Sequence, residues 1–256
     1  MTYCLGMLLD AGLIMIADTR TNAGVDDISS YRKLHCLVDT PERCIFAASA
    51  GNLSTTQMVI SLLREGVPTR NGAPDAEYEG LLRTIAEPTT MFRAAQLVGD
   101  AVRFANDTVG KALAALKISA SSSILLGGRI GNQPPALYLI YSAGNFIECK
   151  ADVPFFQIGE TKYGRPILDR VIRTSTPLGE AVKIAFLSFD ASIRSNLAVG
   201  LPLDMMILPN RTGARPYQRR IEVNDPYYND LSLRWGDLLN DAAQTIPDPP
   251  FLPDLD

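Results

Sequence analysis

Thr2 pairs a β-hydroxyl with what would become a free α-amine once Met1 is removed. Threonine is small enough for cytoplasmic aminopeptidase to trim the methionine before it, so removal is expected. An α-amine titrates at about 8, far below a lysine, and can take the hydroxyl proton at neutral pH, directly or through a water. Nucleophile and base would share one residue, and the chemistry on offer is attack on a carbonyl. Many proteins begin Met-Thr, so the surroundings of Thr2 must decide.

A hairpin turning at Ala11-Gly12 lays Thr2 across from residues 19–21, at the end of a strand reading Asp18-Thr19-Arg20-Thr21-Asn22. A carboxylate buried at a strand end needs a cation, and Lys33, at the start of the next strand, is the nearest well placed in sequence. Its ammonium beside the threonine oxygen would favour the alkoxide, with Asp18 holding it there. The plainer alternative is that Asp18 and Arg20 cap a loop and Lys33 is a solvated strand start. A further feature is Ser49-Ala50-Gly51-Asn52, where a strand meets a helix. Glycine lets a backbone approach a ligand closely, and N–H groups at a helix start face negative charge. The Gly51 N–H would therefore suit a developing oxyanion.

His35 is the single histidine of the chain. That excludes His-rich zinc sites, and any Ser-His-Asp or Cys-His arrangement would have to run through it. It lies in the apolar stretch Leu34-His35-Cys36-Leu37-Val38, which reads as a core or sheet-edge position, so the base should be something else. Cys4, Cys36, Cys44 and Cys149 lack C-x-x-C spacing and are expected to be reduced and mostly buried. Neither metal nor cofactor is expected, since Gly127-Gly128 fits no dinucleotide or phosphate-loop pattern. With a net charge of −4 and scattered basic residues, the chain offers no cationic face for nucleic acid or an anionic membrane. It has no apolar run of roughly 18 residues, and Arg20, its first basic residue, comes too late for a secretory signal. A cytoplasmic protein is expected.

The elements that must position these groups follow from periodicity. Apolar runs at 3–9 and 13–18, then at 33–38 and 43–49, read as two hairpins. They are apolar at nearly every position, as in sheets covered on both faces. Helical spacing predicts helices over 52–65, near 77–86 and over 89–116, with a Gly/Pro-rich break at 66–74. Strands resume at 122–126, 136–141 and 145–149. Helices follow at 164–173 and 178–194, strands at 203–208 and 218–223, and a helix at 227–242. Strands and helices are segregated, which excludes a doubly wound fold. The order predicts an α+β fold of two stacked, mostly antiparallel sheets with helices on both outer faces. No linker divides the chain, so 1–245 should form one domain, followed by a proline-rich acidic tail at 246–256.

Together, MTYCLGMLL-DAG-LIMIADTRTNAG, KLHCLVD and CIFAASAGN are similar to the opening of proteasome β-type subunits. They resemble above all Anbu, the bacterial proteasome-like ancestral β-subunit family. The spacing from Thr2 to the Asp18 of an A-D-x-R pattern agrees, and Lys33 falls within one residue of its expected place. The likeness extends through IGETKYGRPILDR and SFDASIRSNLAVGLPLD. It implies a four-layer αββα fold, self-association into a ring or open helical homo-oligomer, and cofactor-free hydrolysis of a peptide or other amide by an N-terminal threonine. Thr2 would be nucleophile and, through its α-amine, base; Asp18 and Lys33 would tune it; Gly51 would offer the oxyanion N–H. Thr21 and Asn22 would bind peptide main chain, with Ser49 and Leu53 near the side-chain pocket. The G-S-G of proteasome β-subunits is replaced by Gly159-Glu160-Thr161. Their later supporting aspartate and serine align with Ser195 and Asn196, Asp190 being less well placed. The same fold would serve a weakly active or inactive oligomeric peptide-binding scaffold, or a hydrolase of a small or modified amide. By analogy with degradative rings there is room for a partner protein such as an ATPase, for which the sequence shows no docking element.

Overall fold

The computed structural model describes residues 2–22, 28–68 and 82–251. β1 (Tyr3–Leu9) and β2 (Gly12–Asp18) form the first hairpin, followed by the short pair β3 (Arg20–Asn22) and β4 (Ile28–Ser30). β5 (Leu34–Asp39) pairs with β6 (Arg43–Gly51), which runs into α1 (Leu53–Glu65). Two-residue strands β7 (Val67–Pro68) and β8 (Leu82–Arg83) precede the long α2 (Met91–Ala115). Then come β9 (Ser122–Ile130), β10 (Ala136–Ile140), β11 (Phe146–Glu148) and β12 (Phe155–Gly159). The chain closes with α3 (Arg165–Val171), α4 (Leu178–Ser195), β13 (Leu203–Pro209), β14 (Tyr217–Ile221) and α5 (Pro226–Gln244).

Two five-stranded antiparallel sheets result, ordered β12-β1-β2-β13-β14 and β11-β10-β9-β6-β5. Side-chain alternation along each strand splits it between two cores. In β1 and β2, Leu5, Met7, Ile14 and Ile16 pack with residues of α3, α4 and α5, whereas Cys4, Leu13, Met15 and Ala17 pack against the other sheet. In β6, Ile45 and Ala47 face α1 and α2, whereas Phe46, Ala48 and Ala50 face the first sheet. This double burial is why these strands are apolar throughout.

The helix expected near 77–86 is corrected where the residues are described: Leu82–Arg83 is a strand paired with β7, and 77–81 lie outside the described residues. Thr84 then turns, its N–H donating to Glu87 Oε1 at 2.8 Å, which leaves no room for a continuing helix. β12 escaped the pattern because Gln157 interrupts its apolar run. Its side chain is nonetheless buried, donating to Tyr3 Oη at 2.7 Å. Tyr3 Oη in turn meets Ser188 Oγ at 2.7 Å, and Ser188 donates to the Gly164 carbonyl at 3.0 Å. Cys4, Cys36, Cys44 and Cys149 are all free thiols. Among the described residues no helix is long and apolar enough to cross a membrane.

Candidate active site

A cavity of about 640 Å³ opens at one end of the layer between the sheets. Thr2 and Ala50 continue the inward-facing series of Cys4 and Ala48, and both line it. Thr21, Lys33, Ser49, Gly51 and Leu53 line it too, so β3, β6, α1 and the residues leading into β1 and β5 converge there.

Thr2 is held by the strand beside it. Tyr3 pairs with Gly159, and the Thr2 carbonyl accepts from the Glu160 N–H at 2.6 Å. Gly159 has φ +83°, and a Cβ there would overlap the Thr2 carbonyl, so only glycine lets β12 pass this close. The Glu160 side chain is buried and accepts from the Lys162 N–H and from Asn196 Nδ2, each at 2.8 Å. It braces the turn that presents its N–H to Thr2.

Asp18, at the end of β2, is wholly buried. Its carboxylate accepts from Lys33 Nζ at 2.7 Å, from the Tyr3 N–H at 2.9 Å and from the Gly200 N–H at 3.4 Å. Burial pushes the Asp18 carboxyl above the usual carboxylate range, and Lys33 with the two N–H groups pulls it back. Lys33 Nζ also donates to the Arg20 carbonyl. An ammonium has three donors. The third has no acceptor among the described residues, and Lys33 lines the cavity that Thr2 lines.

On β6, the Ser49 N–H donates to the Lys33 carbonyl and the Asn52 N–H to the Ser121 carbonyl on the opposite side, both at 3.0 Å. Strand alternation therefore directs the Gly51 N–H toward the Lys33 side. Gly51 has φ +119° and lies so close to the Ser121 carbonyl that a side chain is excluded. Asn52 caps α1 by accepting from the Thr55 N–H at 3.2 Å, which fixes Leu53 at the cavity wall. Thr21 Oγ1 is buried without a hydrogen-bond partner among the described residues. Asn22 ends β3; its side chain lies outside the described residues.

Two residues are placed otherwise. Ser195 is exposed at the end of α4 and lines a separate depression with Tyr163 and Trp235. Asn196 donates from Nδ2 to the Glu160 carboxylate, whose backbone N–H binds the Thr2 carbonyl. Asp190 accepts from Arg194 and Ser232 and ties α4 to α5. His35, expected in the core or at a sheet edge, lies on edge strand β5 and lines the cavity. Burial, then Arg64 and Arg32, pull its pKa down to about 4. Its spacing of two from Lys33 on an extended segment was the available signal. Glu160 was marked by its place in the stretch that replaces the G-S-G, whereas Gly200 carried no signal, because only the turn after α4 brings it near Asp18. Among the described residues no group of three or more His, Cys, Asp or Glu side chains converges for a metal ion.

No protein-family model and no curated protein matches the chain. Solved structures do. An Anbu (Gly-1) mutant from Hyphomicrobium sp. strain MC1 is 42% identical across 97% of this chain and 99% of its own, with a TM-score of 0.84. Anbu (ancestral beta-subunit) from Yersinia bercovieri is 40% identical across 96% and 99%, with the same TM-score of 0.84. A helical assembly of the Anbu complex from Pseudomonas aeruginosa gives 38% identity across 97% and 98%, with a TM-score of 0.86.

Proposed function

The chain belongs to the Anbu family of proteasome-like ancestral β-subunits, and on that premise we propose that it is a hydrolase of peptide or other amide bonds with Thr2 as its nucleophile. The supporting observation is the buried Lys33–Asp18 pair, which leaves one ammonium donor without an acceptor among the described residues, at the wall shared with Thr2. After Met1 removal the α-amine takes the proton of Thr2 Oγ1, and the oxygen attacks the amide carbonyl carbon. Lys33 stabilises the developing alkoxide, and Asp18 keeps the ammonium in place. The carbonyl oxygen gathers negative charge and accepts from the Gly51 N–H. The C–N bond breaks as the α-ammonium returns its proton to the leaving amine. Water then cleaves the resulting ester and regenerates Thr2. Thr21 and Asn22 would hold the substrate main chain, and Ser49 and Leu53 its side chain.

We read the two sheets and their helices as the four-layer αββα sandwich of this hydrolase class, formed by 1–245 as one domain. We place the protein in the cytoplasm, where the methionine is trimmed, and expect it to self-associate, as the Pseudomonas protein does in its helical assembly. The position of Ser195 outside the cavity favours a second reading, a peptide-binding scaffold with a weakened site. One experiment separates the two. Met-free protein treated with a peptide epoxyketone should gain one reagent mass at Thr2, and Thr2→Ala should gain none and hydrolyse nothing. Met-free protein that stays unmodified would leave the scaffold.

A further inference from the structure

Taking the cavity to be where the scissile amide binds, we propose that it selects an acidic side chain, glutamate or aspartate, on the acyl side of that bond. The charged residues lining it are Arg32 and Lys33, both cations, and no aspartate or glutamate lines it among the described residues. The carboxylates nearest to the site are engaged elsewhere. Asp18 lies behind Lys33, and Glu160 is held by Asn196 and the Lys162 N–H.

Lys33 and the Gly51 N–H are occupied by the chemistry, so Arg32 is the cation left for a substrate side chain. Its pairing with Asp204 is loose, at 3.7 Å, because Asp204 already accepts two bonds from Arg220 at 2.8 and 3.1 Å. Two guanidiniums thus share one carboxylate, and a positive charge is left over at the cavity rim. The side chain of Arg32 is 64% exposed and lies between this cavity and a neighbouring depression lined by Leu34, Cys36 and Asp204.

The start of α1 adds to the same field. Leu53 and Ser54 line the cavity, and no acidic residue occupies the first turn of this 13-residue helix. The Asn52 side chain serves Thr55, and the Asn52 carbonyl serves Thr56. The N–H groups of Leu53 and Ser54 remain without partners among the described residues, at the positive end of the helix. His35, neutral and half-buried, supplies a ring N–H rather than charge. Burial, then Arg64 and Arg32, hold its pKa down. Gln57 offers a further amide donor at the same wall.

The test uses the full-length Thr2→Ala protein, which cannot cut and from which Met1 is still trimmed. Binding of N-acetyl tripeptide amides ending in Glu, Gln or Leu is measured by titration calorimetry at low salt. The Glu amide should bind about tenfold more tightly than the Gln amide. Arg32→Gln should shrink that preference to about twofold and leave the Gln amide unaffected. Equal affinity for Glu and Gln, tighter binding of Leu, or no binding of any of the three up to millimolar concentration overturns the proposal. A Glu preference in this protein, beside failure of epoxyketone labelling in the parent, would instead remove the nucleophile and keep the specificity.

Discussion

At the scale of single residues, the site is governed by one carboxylate that has no access to water. Asp18 is wholly buried and Lys33 nearly so, so removal of either leaves an uncompensated charge. Lys33→Met should cost about 3–5 kcal/mol in urea unfolding and should also abolish labelling of Thr2. His35 is the chain's single histidine, so its proton NMR titration is unobscured and should give a midpoint of about 4, against 6.5 for a free imidazole. Between those values the unfolded chain takes up a proton that the folded ring resists. The contribution is complete above about 6.5, and stability is lost as pH falls toward about 4. A shift of this size is worth about 3 kcal/mol in full, and the ring's partial exposure reduces it to about 2. The difference between urea midpoints measured above and below that window should be smaller in His35→Gln than in the parent. Glu160 acts through its backbone and its carboxylate together. Asn196→Ala should slow labelling of Thr2 several-fold with little change in melting temperature, since it loosens the brace and leaves the core untouched.

At the scale of elements, the junction of β6 with α1 carries the most demanding backbone. Gly51→Ala would force a side chain onto the Ser121 carbonyl at φ +119°, and should cost about 2–4 kcal/mol. Asn52→Ala, which removes the cap and the exposed Nδ2 bond to the Ser119 carbonyl, should cost about 1–2 kcal/mol. Chemical denaturation of the two variants gives the ranking. This junction was legible in the sequence because a glycine and a capping asparagine are local signals. So were Thr2, Asp18 and Lys33, since a hairpin of known turn fixes which residues face each other: Cys4 opposite Ala17 extends to Thr2 opposite Thr19. What could not be read is whatever depends on pairing across long separations. β12 meets β1 across a long separation, Tyr3 pairing with Gly159 and Met7 with Phe155, and its Gln157 broke the pattern that would have marked it as a buried strand. Ser195 was placed by alignment to a family motif, and one residue of displacement at a helix end turns a side chain to another face. His35 lies on edge strand β5, one of the two placements its apolar neighbours predict, and its period-two spacing from Lys33 sets its side chain toward the cavity.

At the scale of the whole molecule, the proposed self-association predicts sedimentation species at multiples of 27.8 kDa whose populations rise with concentration. A single species of that mass at every concentration would count against assembly. A different property follows from the buried hydroxyls beneath α4. Gln157 can only donate to Tyr3, and Ser188 already donates to Gly164, so the Tyr3 hydroxyl must donate to Ser188. Every proton in that string has one address, and the amide of the same tyrosine is spent on Asp18. The strand bearing Thr2 is thus locked at both its backbone and its first side chain. In native-state deuterium exchange the Tyr3 amide should be among the last to open, well after those of the short β3–β4 pair across the cavity. The reacting residue would sit on the stationary jaw, and adjustment to different substrates would fall to the opposing one.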